Sequence, residues 1–282
     1  MASKYFSVLG SPIEHSRSPL IHSTAYGVLG LDWDYQKNEV RKGGLRRFLA
    51  ESNIEFSGLS VTMPLKEEAA RLAESLDEAA RLTGAVNTLS KTETGWAGFN
   101  TDVFGITQAV ASKVSTGISK VLILGSGATA TSAMLAVSRL APEARVWVMA
   151  RNPETRAQLV QFGLTLGLQV KPTIRLKSVA RSADLVISTL PGSAMDSVVR
   201  KLRRFGEFRP TGAVLDVAYS PWPSQFAAFW SQVQRPIISG LDMLMWQAVA
   251  QLRVFTNSNP DLPLHNEIAV VEAIKHALDQ AV

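Results

Sequence analysis

The 282-residue sequence contains no cysteine, which excludes disulfides, thiolate metal sites and cysteine nucleophiles. Histidine is scarce too. His15, His22, His265 and His276 include no pair at ligand spacing on one helix, so no metal site is expected. No apolar run approaches the roughly 18 residues that span a bilayer. The opening Met1-Ala2-Ser3-Lys4-Tyr5-Phe6 lacks the apolar stretch and small-residue cleavage site of a secretory signal. A cytoplasmic protein with no membrane partner is therefore expected. Charged residues make up 19% of the chain and apolar ones 46%, a globular balance with enough length for two domains. The net charge is +5, and the densest basic run is Arg200-Lys201-Leu202-Arg203-Arg204. It has no interleaved aromatics and reads as a solvated helix face. A phosphate-rich cofactor and a carboxylate substrate explain the excess base as well as nucleic acid does, so no nucleic-acid partner is expected.

The chain is organised around Lys120 to Leu140. An apolar strand, Val121-Leu122-Ile123-Leu124, runs into Gly125-Ser126-Gly127-Ala128-Thr129-Ala130 and then into a helix. Ala130, Ala133, Met134, Val137 and Leu140 give that helix an apolar face. A glycine turn opening a helix leaves backbone N–H groups free, and with the helix dipole they suit a pyrophosphate. The alternative is a βα turn that packs closely without a ligand.

Before that turn, strands at 5–9, 33–40 and 56–62 alternate with helices at 19–29, 44–52 and 66–73, followed by a hairpin of 84–90 and 96–99. A helix over 102–112 then crosses through 113–117 to the glycine-turn strand. Further strands are expected at 146–149, 169–172, 185–189, 214–217 and 236–239, which completes a doubly wound parallel sheet. Helices at 241–255 and 265–281, with no strand after them, are expected to fold back on the first domain. The predicted architecture is α/β: a discontinuous domain of 1–102 plus 240–282, and a Rossmann domain of 103–239.

An NAD site places an acid at the end of the second strand, and an NADP site replaces it with positive charge. Here that strand ends in Ala150-Arg151-Asn152-Pro153. The Arg151 guanidinium suits a 2′-phosphate, so NADP(H) is the expected cofactor. Asn152 reads as the cap of the next helix, with Pro153 at its first position. Arg156, one turn along, either reaches the same phosphate or is solvated.

Short polar stretches in the first half fit packing less well. Ser16-Arg17-Ser18-Pro19 precedes a helix; Ser18 either caps it or joins Ser16 in receiving a carboxylate. Ser60-Val61-Thr62-Met63-Pro64-Leu65-Lys66 ends a strand, where α/β folds place ligands. Asn87 interrupts an apolar stretch, Gly84 to Leu89. Asn100-Thr101-Asp102 follows Phe99, and Asp102 either caps the connecting helix or meets a ligand.

Together with Asp216-Val217-Ala218-Tyr219-Ser220-Pro221 and the run Gly240 to Gln247, these motifs resemble the shikimate dehydrogenase family over nearly the whole chain. The resemblance implies NADPH-linked reduction of 3-dehydroshikimate to shikimate, in a cleft between a substrate domain and an NADP domain. Small molecules are the implied partners of a monomer or homodimer. Ser16 and Ser18 would bind the carboxylate; Thr62, Asn87, Asp102 and Gln247 would hold ring hydroxyls. Lys66, oriented by Asp102, would stand beside the reacting oxygen, supplying its proton or stabilising its charge. Gly125 to Ala130, Arg151 and Asn152 would hold the dinucleotide, with Val217, Tyr219, Gly240 and Met243 near the nicotinamide and Tyr219 also near substrate. Three stretches depart from the family pattern: Ser60 replaces an asparagine, Gly125 to Ala130 replaces G-A-G-G-A, and Ala150-Arg151-Asn152 replaces N-R-T. Two alternatives stand beside this reading, an NAD-linked quinate/shikimate dehydrogenase and a non-catalytic NADP-binding paralogue. Ser18 and Arg151 favour shikimate and NADP, and the retained Lys66 and Asp102 favour catalysis.

Overall fold

A computed structural model describes residues 4–114, 117–204 and 207–281. Ser115 and Thr116, within the expected crossing segment, lie outside the described residues. The chain divides into two compact units, Met1–Thr101 with Met245–Val282, and Asp102–Leu244.

The first unit runs β1 (Lys4–Gly10), α1 (Ser18–Leu29), β2 (Trp33–Glu39), α2 (Leu45–Glu51), β3 (Phe56–Val61), α3 (Lys66–Leu72), β4 (Ser75–Leu76), α4 (Glu78–Thr83), β5 (Thr88–Lys91) and β6 (Trp96–Phe99). The strands form a mixed sheet in the order β2-β1-β3-β5-β6-β4. Its parallel half is β2-β1-β3, and β5 enters antiparallel to both β3 and β6. One apolar cluster joins Leu9, Leu59 and Val61 to Leu45 of α2, to Ala69 of α3 and to Leu65 just before α3. A second is aromatic: Phe6 lies 4.7 Å from Phe255, 4.9 Å from Trp33 and 5.9 Å from Tyr26 between ring centroids.

Two elements here differ from the sequence reading. Residues 84–87 are not strand, because Gly84, at φ +66°, ends α4 in the left-handed conformation, and β5 starts only at Thr88. Helix α4 itself carries a cap signal: the Asp77 side chain accepts from the Ala80 N–H. The two-residue β4 is too short to leave a periodic trace.

The second unit runs α5 (Asp102–Ala111), β7 (Lys120–Leu124), α6 (Ala128–Leu140), β8 (Arg145–Met149), α7 (Pro153–Thr165), β9 (Gln169–Pro172), α8 (Leu176–Ser182), β10 (Leu185–Ser188), α9 (Gly192–Arg203), β11 (Ala213–Asp216), α10 (Gln225–Gln232) and β12 (Ile237–Ser239). Its sheet is parallel throughout, in the order β12-β11-β10-β7-β8-β9. That is the doubly wound order, with the crossover point beside β7. Leu122, Leu124, Val186 and Val214 meet Met195, Leu202, Phe226 and Trp230 of the helices on one face. Helix α6 is more enclosed than its apolar stripe suggests. Residues 132–137 are all buried while Leu140 is half-exposed, because α5 and α7 both pack on this helix of small side chains.

Helix α11 (Gly240–Asn257) leads into α12 (Glu267–Gln280). The units part within α11, after Leu244, not before Gly240. Gly240 belongs with the second unit because a Cβ there would collide with the Val217 carbonyl oxygen. Past Met245 the helix contributes to the first unit. There the Arg253 guanidinium pairs with the Glu267 carboxylate at 2.7 and 2.8 Å, joining α11 to α12. Burial raises the Glu267 pKa, but hydrogen bonds from Arg253 and the Leu264 N–H, with the Arg253 charge, leave it lowered overall. Among the described residues no helix is long and apolar enough to cross a membrane.

Candidate active site

In the first unit, Ser16 and Ser18 sit where the chain enters α1. Ser18 is not the cap that its place before Pro19 suggests. Arg17 already has helical dihedrals, so α1 starts at Ser18, and the Ser16 hydroxyl instead accepts from the Ser18 N–H at 3.3 Å. Arg17 donates to the Ala281 carbonyl at 2.7 Å and so fastens this turn to the end of α12. The buried Ser18 hydroxyl is hydrogen-bonded to Tyr35.

Thr62 and Lys66 flank a tight turn. The Thr62 N–H donates to the Leu9 carbonyl, the Leu65 N–H to the Thr62 carbonyl, and the Ser11 N–H to the Met63 carbonyl. Lys66, half-buried, is the first residue of α3, followed by Glu67 and Glu68 in the positive end of that helix. Glu68 has a further use: its carboxylate accepts the Gly43 and Leu45 N–H groups at the start of α2. The Lys66 carbonyl accepts the Val86 N–H, which places this turn one residue from Asn87.

Asn87 lies just before β5, with its backbone held by Val61 and Phe99. Its side-chain oxygen accepts from the Thr88 hydroxyl and the Thr101 N–H, each at 2.9 Å. Its nitrogen donates to the Thr101 hydroxyl at 2.9 Å and to Gln247 Oε1 at 3.2 Å. The fold thus brings Asn87 and Gln247 together, across 160 residues of sequence. Asp102 follows Thr101 directly as the first residue of α5, and at 4% exposure it is a buried carboxylate.

In the second unit, Gly125 takes φ +115°, and a Cβ there would strike the Thr189 hydroxyl, so the turn requires glycine. Gly127 is the N-cap of α6 and supplies no side-chain acceptor, and a Cβ added to it would meet nothing within 4 Å. Open space before uncapped helix N–H groups fits an anion. The Ser126 hydroxyl lies 2.7 Å from that of Thr155 in α7, tying the glycine turn to the helix after Arg151. Asn152 caps α7 as expected, accepting from Glu154 and Thr155 at 2.8 and 3.2 Å. Arg151 is exposed beside it, and Arg156 donates only a long 3.5 Å bond to the Ala150 carbonyl. These residues fit a dinucleotide carrying a 2′-phosphate.

Val217 and Tyr219 are half-buried in the loop after β11, and Gly240 and Met243 are buried in the first turn of α11. Asp216, which opens the family motif that runs to Pro221 but was given no role of its own, organises this loop. Its buried carboxylate accepts from the Ser224 hydroxyl at 2.5 Å and from the Ala218 N–H at 3.4 Å. Burial pushes its pKa up, against the pull of those bonds and one from Ser188.

Comparison with known proteins settles the family. Residues 8–89 match the shikimate dehydrogenase substrate binding domain, and 97–221 match the alanine dehydrogenase/PNT C-terminal domain. The shikimate dehydrogenase (NADP(+)) of Desulfitobacterium hafniense is 30% identical, with 99% of this chain and 98% of the relative covered. The chain belongs to the shikimate dehydrogenase family. Its fold agrees with the shikimate dehydrogenase of Mycobacterium tuberculosis at a TM-score of 0.84, with 34% identity over 98% of this chain and 99% of that one. The shikimate 5-dehydrogenase of Thermus thermophilus, solved with NADP(H) and shikimate, gives a TM-score of 0.76 at 28% identity, covering 97% and 99%.

The sequence reading gave no role to Tyr35, Thr88 and Gln251, which hydrogen-bond to Ser60 or Asn87. The spacing of Gln247 and Gln251, one helical turn apart, is the signal that was there to be used.

Proposed function

We propose that this chain is an NADP-dependent shikimate dehydrogenase, reversibly reducing 3-dehydroshikimate to shikimate in aromatic amino-acid (chorismate) biosynthesis. One observation carries the reading. A chain similar end to end to shikimate dehydrogenases keeps a fixed polar cluster around Asn87 and Gln247, together with an uncapped glycine turn and an arginine after the second Rossmann strand.

Reducing a ketone needs a hydride at carbon and a proton at oxygen. The dinucleotide, when bound, supplies the hydride. Gly125 to Ala130 would hold its pyrophosphate and Arg151 its 2′-phosphate, with Asn152 ordering the helix start beside them. Val217, Tyr219, Gly240 and Met243 would border the nicotinamide. For the substrate, Ser16 and Ser18 would take the carboxylate, on a turn fastened by Arg17. Thr62, Asn87, Asp102 and Gln247 would receive the ring hydroxyls, and Tyr219 would also touch the substrate. Lys66 would donate the proton to the carbonyl oxygen as charge grows there, and Asp102 would orient its ammonium. Such a donor is typically worth about 3–4 kcal/mol of barrier. The partners are small molecules; we place the enzyme in the cytoplasm as a monomer or homodimer.

The test is absorbance at the nicotinamide band, with shikimate or quinate against NADP or NAD. Turnover favouring shikimate with NADP is expected. A preference for quinate with NAD, or no turnover with any pair, would overturn the assignment.

A further inference from the structure

Gln251, 1% exposed on α11, uses its whole amide in bonds to four residues. Its nitrogen donates to the Asn87 carbonyl at 3.1 Å and the Thr88 hydroxyl at 3.0 Å. A backbone carbonyl only accepts, so this end must be the nitrogen. The oxygen then accepts from the Ser60 hydroxyl at 2.8 Å and from His22 Nε2 at 3.2 Å. That fixes His22 as the Nε2–H tautomer, with a bare Nδ1 buried and unpartnered. Burial holds its pKa down to about 3 against the Gln251 hydrogen bond, so the ring stays neutral.

A single donor direction follows through the core. The Tyr35 hydroxyl donates to Ser60 at 2.6 Å and Ser60 to Gln251; Gln251 donates to Thr88 and Thr88 to Asn87 Oδ1. With its oxygen engaged by the Thr88 hydroxyl and by the Thr101 N–H, Asn87 must turn its nitrogen to Gln247 Oε1. Gln247 in turn must aim its own nitrogen elsewhere. A flip at Gln251 or Asn87 would set carbonyl against carbonyl, and one at Gln247 would set donor against donor, each buried group losing about 1–3 kcal/mol. Ser60, where the family usually has asparagine, is the link that both receives from Tyr35 and donates onward.

We infer that Gln251 is a positioning residue, which acts with the Thr101 N–H to hold the amide orientations of Asn87 and Gln247 so that they meet the substrate hydroxyls in one hydrogen-bonding sense. This rests on the shikimate dehydrogenase reading. Gln251→Glu tests it, because a carboxylate keeps the shape but cannot donate to Asn87 or Thr88 until protonated. In the wild-type protein its titratable neighbours, His22 held neutral by burial and Tyr35 with its pKa raised, carry no charge between about pH 6 and 8.

At pH 8 the variant should raise both the KM and the calorimetric Kd for shikimate about tenfold or more, with a smaller change in kcat. NADP affinity should not move. Lowering the pH to about 6 should restore shikimate binding, since burial lifts the new carboxyl's pKa. Gln251→Met should show the loss without the recovery. Should the Glu variant not fold, Thr88→Val breaks the same chain one link on and should reproduce the shikimate-specific loss. Unchanged shikimate affinity in either folded variant overturns the inference, as does an equal loss of shikimate and NADP affinity. A wild-type protein that binds neither ligand would instead overturn the functional reading beneath it.

Discussion

The two units treat their polar groups in opposite ways. The first buries polar side chains and makes them satisfy one another: His22, Ser60, Asn87, Thr88, Thr101, Gln247 and Gln251 all lie in its core. The second packs an apolar sheet core, with Ser188 and Asp216 buried at the ends of their strands, and offers backbone N–H groups at a glycine turn, with Arg151 and Asn152 exposed nearby. A polyol acid such as shikimate must be read hydroxyl by hydroxyl, which demands amides fixed in orientation. A pyrophosphate carries spread negative charge, and a helix start meets it without side-chain precision. The first arrangement is costly to perturb, because a half-satisfied buried network is worse than none. The second should tolerate change better, one group at a time.

Three measurements sharpen or break this contrast. The largest effect is expected at the chemistry itself. Lys66→Ala should lower kcat by about a hundredfold to a thousandfold while shikimate still binds, measured by steady-state kinetics with calorimetric Kd. A variant that keeps turnover and loses only affinity would make Lys66 a binding group. Next comes the buried histidine. His22 has its folded pKa lowered to about 3, so the unfolded chain takes up its proton first as acid is added. Stability should fall by about 1.4 kcal/mol per pH unit from near pH 6 down towards the folded value, over and above other groups. His22→Phe should remove that slope in denaturant melts across pH; an unaltered slope would show that burial does not hold the ring neutral. The smallest effect belongs to the second unit. Arg151→Ala should weaken NADPH about tenfold to a hundredfold and leave NADH nearly unchanged, followed by nicotinamide fluorescence. Equal losses for both dinucleotides would mean that the exposed arginine reads no phosphate.

Much of the second unit was legible in advance because its signals are local. Apolar runs mark the strands, Asn152-Pro153 marks a helix start, and two glycines mark the turn. In the first unit the motifs were visible, but the partners were not. Asn87 reads as a polar interruption, yet what it touches comes from residue 101 and from residue 247. Helix α4 was passed over although Asp77 and Gly84 bracket it, since six residues are too few to show a helical period. Ser18 looked like a cap because Pro19 follows, whereas the dihedrals at Arg17 start the helix one residue early.

By itself the sequence determined the α/β class, the six parallel strands of the second unit, the family motifs and the likeness of the cofactor turn to an NADP site. These depend on periodicity, glycine and proline, and on the charge of neighbours a few residues away. The tertiary structure alone decided that α11 changes allegiance after Leu244, that Gln251 lies under Asn87, and which nitrogen of His22 carries the proton. Those facts depend on donors and acceptors far apart in the chain, which acquire a direction only when burial leaves them no water to turn to.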